Sequence, residues 1–95
     1  MGQKYRPFLV NMPQRPLEIR RYYRVALKEL AFLRFVLEAY DGLAVLTSLP
    51  GRAEVEWSIP VERADEADGL AEALAAEMTL VPIPRPPDWP EAQEP

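Results

Sequence analysis

The side chains of this sequence that could do chemistry are mainly carboxylates and guanidiniums, because its 95 residues include no His and no Cys. Without Cys there is no thiol nucleophile and no cysteine-based zinc site, and without His the commonest general base is missing. The densest carboxylate cluster, Asp65, Glu66 and Asp68, could bind a divalent cation. It also begins a predicted helix, where the helix dipole favours acidic side chains, and we favour that structural explanation. We therefore expect no catalytic residue, no metal site, no cofactor and no enzymatic activity.

An RNA-binding face is a second chemical possibility. Residues 1–28 contain seven cations and one anion, whereas the rest of the chain contains four cations and fourteen anions. Tyr22 lies between Arg20 and Arg24 on one face of a predicted strand, where an aromatic ring could stack on a base. The expected neighbours Glu54 and Glu56 would repel phosphate, and opposite charges on adjacent strands stabilise a sheet. We therefore expect the arginines to pair within the chain and do not expect a nucleic-acid partner.

Hydrophobic periodicity predicts six elements. Alternating apolar and polar residues predict strands, and apolar residues three and four apart predict helices. The predicted strands are 17–27, 43–49, 53–61 and 79–83, and the predicted helices are 28–40 and 65–78. Gly42 stands where a helix takes a left-handed C-terminal residue, and Pro50 and Gly51 predict a turn between strands. Arg21 interrupts an apolar strand face, so we expect it near the border of the sheet with its charged end in water.

This β-α-β-β-α-β order predicts an α+β, ferredoxin-like sandwich. Right-handed crossovers place both helices on one face of a four-stranded antiparallel sheet with strand order 4-1-3-2. Pro82 and Pro84 fit a last strand at one edge, because proline is tolerated there. We expect a domain at 17–84 between an extended N-terminal arm, 1–16, and a proline-rich tail, 85–95. Trp89 in that tail is expected to dock in a groove.

Two surfaces predict self-association. The first predicted helix has a second apolar row, Phe32 and Phe35, which the N-terminal arm, the tail or another subunit must cover. The strand 43–49 would form a sheet edge, yet it has no charge and no proline, the usual protections of an edge. We expect this edge to pair with the same strand of a second copy in a homodimer. The expected interface residues are Leu43, Val45, Thr47, Phe32 and Phe35.

The run 32–46, FLRFVLEAYDGLAVL, resembles a family of short, uncharacterised bacterial proteins of unknown function. The arrangement of strands and helices around it also resembles, more loosely, the ACT domain. ACT domains are ferredoxin-like regulatory modules that bind amino acids between subunits, usually through Asp or Asn, Pro and Gly in the loop after the first strand. Here that loop, 26–30, reads ALKEL and has none of these residues. The resemblance therefore supports the fold more than an amino-acid site.

Two functions follow as expectations. The first is a small ACT-like regulatory or ligand-binding module that acts as a homo-oligomer, with Lys28 and Glu29 as candidate ligand-binding residues at the helix start. The alternative is a non-enzymatic module that binds another protein through its apolar helix face and its tail.

The excess of arginine over lysine and the eleven prolines are typical of a thermophile. No apolar run is long enough for a membrane span or a secretory signal, so we expect a cytoplasmic protein.

Overall fold

The computed structural model describes residues 17–91, which form four strands and two helices. The strands are β1 (Glu18–Val25), β2 (Val45–Ser48), β3 (Glu54–Pro60) and β4 (Leu80–Ile83), and the helices are α1 (Leu30–Ala39) and α2 (Ala64–Ala75). A short 3₁₀ turn leads into each helix, Leu27–Glu29 before α1 and Val61–Arg63 before α2. All six predicted elements are present in the predicted order. The expected N-terminal arm, 1–16, lies outside the described residues.

The four strands form one antiparallel sheet in the order β2-β3-β1-β4. Read from the β4 edge, these are the neighbours that the order 4-1-3-2 describes, with β1 and β3 in the centre. β1 pairs with β3 along residues 18–24, whereas β4 pairs only with residues 22–25 of β1. The arrangement is α+β and compatible with a ferredoxin-like fold. The difference in length between β1 and β4 leaves half of one edge of β1 without a strand partner among residues 17–91.

The hydrophobic core lies on one face of the sheet. The register places Tyr23 opposite Val55 and Arg21 opposite Trp57 on that face. The helices contribute Leu33 and Leu37 from α1 and Ala67, Ala71 and Leu74 from α2. These are the residues that the helical spacing assigned to the inner faces. Burial of a large apolar side chain contributes about 1.5–3 kcal/mol, so this shared core is what joins both helices to the sheet.

Left-handed glycines make the two tightest connections. Gly42, after α1, has a φ of 73°, and Gly51, between β2 and β3, has a φ of 72°. An L residue is strained in this region of backbone space, so both positions favour glycine. The predicted helix stop and the predicted hairpin turn are thereby confirmed.

Several strand boundaries differ from those that the periodicity predicted. Leu17 and Leu27, predicted in the first strand, lie outside β1 and are exposed. The second strand has four residues instead of seven, because only Val45–Ser48 pair with β3. Arg21 lies in the central strand β1, in the half of that strand that does not pair with β4. Its side chain is therefore half-exposed at the border of the sheet, as its position on an apolar face led us to expect.

Candidate functional site

The structure does not bring the predicted ligand residues into a cavity. Lys28 and Glu29 form the 3₁₀ turn before α1, and neither lines the two cavities described below. Lys28 is exposed, whereas the carboxylate of Glu29 accepts a 2.9 Å hydrogen bond from the backbone N–H of Thr79. Glu29 therefore joins the start of α1 to the residue before β4, which is a structural role.

The outer edge of β2 has no strand partner among the described residues. Val45 is 64% exposed, and Val45 and Thr47 face the side of the sheet opposite the helices, beside Ser58 and Glu56 of β3. Leu43 is a correction to the predicted interface, because it is 0% exposed and belongs to the core of its own chain. It precedes β2 and is fully buried in the core, so it is not available to a second copy.

The aromatic row of α1 is exposed. Phe32 is 46% and Phe35 is 69% exposed. The C-terminal tail, described as far as residue 91, does not cover them, because it packs on the face of the sheet opposite the helices. Within residues 17–91 both rings are therefore accessible to solvent. In a helix successive residues turn by about 100°, which puts Phe35 next to Arg34 and Phe32 further round, away from it.

A polar groove of about 360 Å³ separates α1 from β2. Arg34, Glu38 and Asp41 line it, and the Arg34 guanidinium donates a hydrogen bond to the Ser48 hydroxyl of β2. One cation and two anions therefore stand beside the outer edge of the sheet. This groove lies towards the last turns of α1, whereas the sequence led us to expect a ligand at the first turn.

An ion pair at the start of α2 contacts the backbone of Asp41, at the end of this groove. Arg63 donates two 3.0 Å hydrogen bonds to Glu66 at the start of α2, and a 2.8 Å hydrogen bond to the backbone carbonyl of Asp41. The hydrogen bonds from Arg63 lower the pKa of Glu66. Glu66 of the acidic cluster is therefore paired with Arg63. Within residues 17–91 no three side chains of the His, Cys, Asp and Glu types come together as metal ligands.

The face of the sheet opposite the helices, called the open face below, contains a buried carboxylate. Glu56 of β3 is only 9% exposed and accepts a 2.7 Å hydrogen bond from the Tyr22 hydroxyl of β1. Burial and the contact with Glu56 raise the pKa of Tyr22. Arg20 lies 3.8 Å from Glu56 and donates a 2.9 Å hydrogen bond to Ser58. The predicted pairing of outward arginines with outward acids is thereby confirmed for Arg20.

Trp89 of the C-terminal tail covers this pair. Its ring packs edge-on against Tyr22, with ring centres 5.8 Å apart, and is 4% exposed. The Arg52 guanidinium lies 5.7 Å from the centre of the Trp89 ring and donates a 3.1 Å hydrogen bond to Asp88. Arg85 donates a 2.8 Å hydrogen bond to the Trp89 carbonyl. The predicted docking of Trp89 is confirmed, and Tyr22 is not free to stack on a base.

A larger cavity, about 670 Å³, lies beside the half of β1 that β4 does not reach. We call it the β1 slot. Its lining comes from both faces of the sheet, with Arg20 on the open face and Tyr23 on the core face, and from Ala71 and Ala75 of α2. Arg21 closes one part of it through 3.2 Å hydrogen bonds to both carboxylate oxygens of Asp68. The sequence periodicity did not indicate this cavity, because it depends on the register in which β4 pairs with β1.

Comparison with known proteins places this architecture in a family. The sequence matches a family described as a domain of unknown function, DUF4911, over residues 23–78, which is more than half of the chain. The chain belongs to the DUF4911 family. The family segment runs from β1 through α2, so β4 and the Trp89 tail lie beyond it. No curated protein and no solved structure matches the sequence.

The expected membership of an uncharacterised family is thereby confirmed, and the family description assigns no function. The resemblance to the ACT domain stays a prediction.

No helix in residues 17–91 is both long and apolar enough to cross a membrane.

Proposed function

We propose that this chain is a small ferredoxin-like binding module, ACT-like in topology, that catalyses no reaction and works as a homodimer. The two copies would pair along the outer edges of their β2 strands. The observation on which this proposal depends is the position of β2 at the edge of the sheet, without charge or proline and with Val45 exposed. Natural edge strands of this composition are prone to pair with another strand.

The exposed aromatic row supports the same assembly. Four residues of β2 offer few ladder hydrogen bonds, each with a net value of about 0.5–1.5 kcal/mol, so a stable dimer also needs apolar area. Pairing of the two β2 strands around a twofold axis would bring the two α1 helices side by side. Phe35 would then lie closer to the contact than Phe32, because Arg34, its neighbour, already reaches β2. We therefore expect Phe35 to contribute more than Phe32.

The non-enzymatic assignment rests on which groups are free to react. The chain has no His or Cys to act as a base or a nucleophile. Its buried carboxylate, Glu56, is engaged by Tyr22 under Trp89. On the open face Arg20 is paired with Glu18 and Glu56, and Arg52 is paired with Glu54 and Asp88, which favours binding over catalysis.

Light scattering on two charge variants tests the dimer. Val45→Lys should convert the dimer to a monomer, because a twofold axis would place two lysines on neighbouring strands. Val81→Lys is the matched control, since Val81 is a half-exposed valine of the other edge strand on the same face. It should stay dimeric. A wild-type monomer at micromolar concentration would reject the proposal, and equal effects of the two variants would place the contact elsewhere.

A small zwitterionic ligand is a second candidate function, favoured by the groove between α1 and β2. Arg34 could bind a carboxylate there, and Glu38 and Asp41 could bind an ammonium group. In the proposed dimer the groove would lie at the contact between subunits. A thermal-shift screen of free amino acids tests this, because a ligand of the folded state raises the melting temperature. The shift should disappear in Arg34→Gln and remain in Lys28→Gln.

A further inference from the structure

We infer that the β1 slot is a second binding site, which accepts an extended peptide segment of another protein as an additional strand. The peptide would lie antiparallel to residues 18–21 of β1, in line with β4. This inference concerns the edge of the sheet opposite β2 and does not depend on the proposed dimer. The expected ligand alternates apolar and acidic side chains.

The backbone of β1 provides the recognition surface. β1 is paired with β3 along residues 18–24, but β4 accompanies only residues 22–25. The groups of residues 18–21 that point away from β3 have no strand partner within residues 17–91. Strand addition to such an edge is a common mode of peptide recognition, in which the main chain supplies affinity and side-chain pockets supply specificity.

The shape of the slot fits a strand. Lining residues from both faces of the sheet border it, and neighbouring strands are about 4.8 Å apart. On the core face the wall has an apolar part, which includes Tyr23, Leu80 and the small residues Ala71 and Ala75. The pair of Arg21 and Asp68 and the carboxylate of Glu72 line the rest of this side. The alanines leave space for a large apolar side chain beneath α2. Alternate residues of a bound strand would point there.

Charge determines which side chains suit the peptide positions that point towards the open face. On the open face the slot is bordered by Arg20 and Arg85, which lie 3.4 Å from Glu18 and 3.8 Å from Glu91. Within residues 17–91, Nη1 of neither guanidinium donates a hydrogen bond. On the core face Arg21 is already neutralised by Asp68. Acidic residues on the outward side of the peptide would therefore accept hydrogen bonds from the remaining N–H groups of two guanidiniums, whereas lysines there would be repelled.

Fluorescence anisotropy with the full chain tests the inference. The probe is a short labelled peptide in which valine and glutamate alternate, and its control alternates valine and lysine. We expect the glutamate peptide to bind with a dissociation constant below about 100 µM and the lysine peptide at least tenfold more weakly. Equal binding of the two peptides, or no binding of the glutamate peptide at about 1 mM, would overturn the inference.

A matched pair of variants locates the site. Ala75→Leu fills the slot from the exposed end of α2 and should weaken binding about tenfold. Ala73→Leu adds the same side chain at an exposed position of the same helix that does not line the slot, and should change binding less than about twofold. Leucine is a good helix former, so both variants should fold. Equal weakening by both variants would contradict this location.

Hydrogen exchange distinguishes the peptide from the chain's own residues as the occupant. In the free protein, the residue 18–21 amides that point away from β3 should exchange fast, and the glutamate peptide should slow them. If these amides are already protected before peptide is added, the edge is occupied by the chain itself and the inference fails. If the peptide binds without protecting them, it is not an added strand, and the inference fails as well.

Discussion

Tyr22 and Glu56 form the most buried polar contact of the open face, a 2.7 Å hydrogen bond between neighbouring central strands. Trp89 closes over it from the tail. A buried carboxylate without a partner would be costly, so the tyrosine hydroxyl makes the burial of Glu56 possible. The contact also explains why a tyrosine between two arginines does not form a base-stacking surface here.

Tyr22 should make the fold sensitive to alkaline pH. Burial, followed by the hydrogen bond and the charge of Glu56, raises the pKa of Tyr22 above its ordinary value of 10.0. The protonated Tyr22 hydroxyl therefore stabilises the folded state fully below about pH 10. This stabilisation is lost as the pH rises through the pKa of Tyr22 in the folded state. Tyr22→Phe should show a shallower alkaline loss of the urea midpoint than the wild type. The same slope in both proteins would refute this role.

Trp89 should contribute to global stability although it belongs to the tail. Trp89→Ala removes a buried ring and should lower the free energy of unfolding by about 2–4 kcal/mol, measured by urea denaturation. Asp88→Ala, at the neighbouring residue, removes only a mostly exposed partner of Arg52 and should cost less than about 1 kcal/mol. Similar small losses in both variants would mean that the tail is not docked in solution.

The pair of Arg21 and Asp68 should have a small coupling energy. Both side chains are nearly half-exposed, so water screens the two hydrogen bonds between them. A double-mutant cycle with Arg21→Ala and Asp68→Ala should give about 0.5–1 kcal/mol of coupling. Arg21→Ala alone should cost more than this, because the stem of Arg21 also packs on the sheet. Zero coupling would contradict a net stabilisation by this pair.

Two Gly→Ala substitutions should have opposite signs. Gly42 has a φ of 73°, and an added Cβ would lie 3.5 Å from Arg63 Nη1, an ordinary contact. Gly42→Ala should therefore destabilise through backbone strain alone, by about 1 kcal/mol or more. Gly69 lies within α2 with nothing near an added Cβ. Gly69→Ala should raise the free energy of unfolding by about 0.5–1 kcal/mol.

Local chemistry determined most of the fold, and the sequence predicted that part well. Alternation and helical spacing identified all six elements and the inner faces of both helices. The order of the elements placed the second and fourth strands at the edges, and the prolines of β4 agreed with its edge position. These features depend on residues that are close in sequence, and so periodicity was sufficient to find them.

Features that depend on tertiary contacts were harder to predict. Leu43 was assigned to an interface because the apolar run around it has no internal boundary, yet the turn at Gly42 places it in the core. The β1 slot exists because β4 pairs only with residues 22–25 of β1, a register that no local signal gives. The groove at Arg34 requires the distance between α1 and β2. Trp89 was the exception, since a tryptophan in a proline-rich tail indicated docking without showing its partner, Tyr22.

Hydrogen exchange at β2, measured over a range of protein concentrations, tests the proposed dimer most directly. The amides of residues 45–48 that point away from β3 should be protected at high concentration and lose protection on dilution, in parallel with the fall in molecular mass. Exchange of these amides as fast as in an exposed loop at every concentration would show that no second copy pairs with β2.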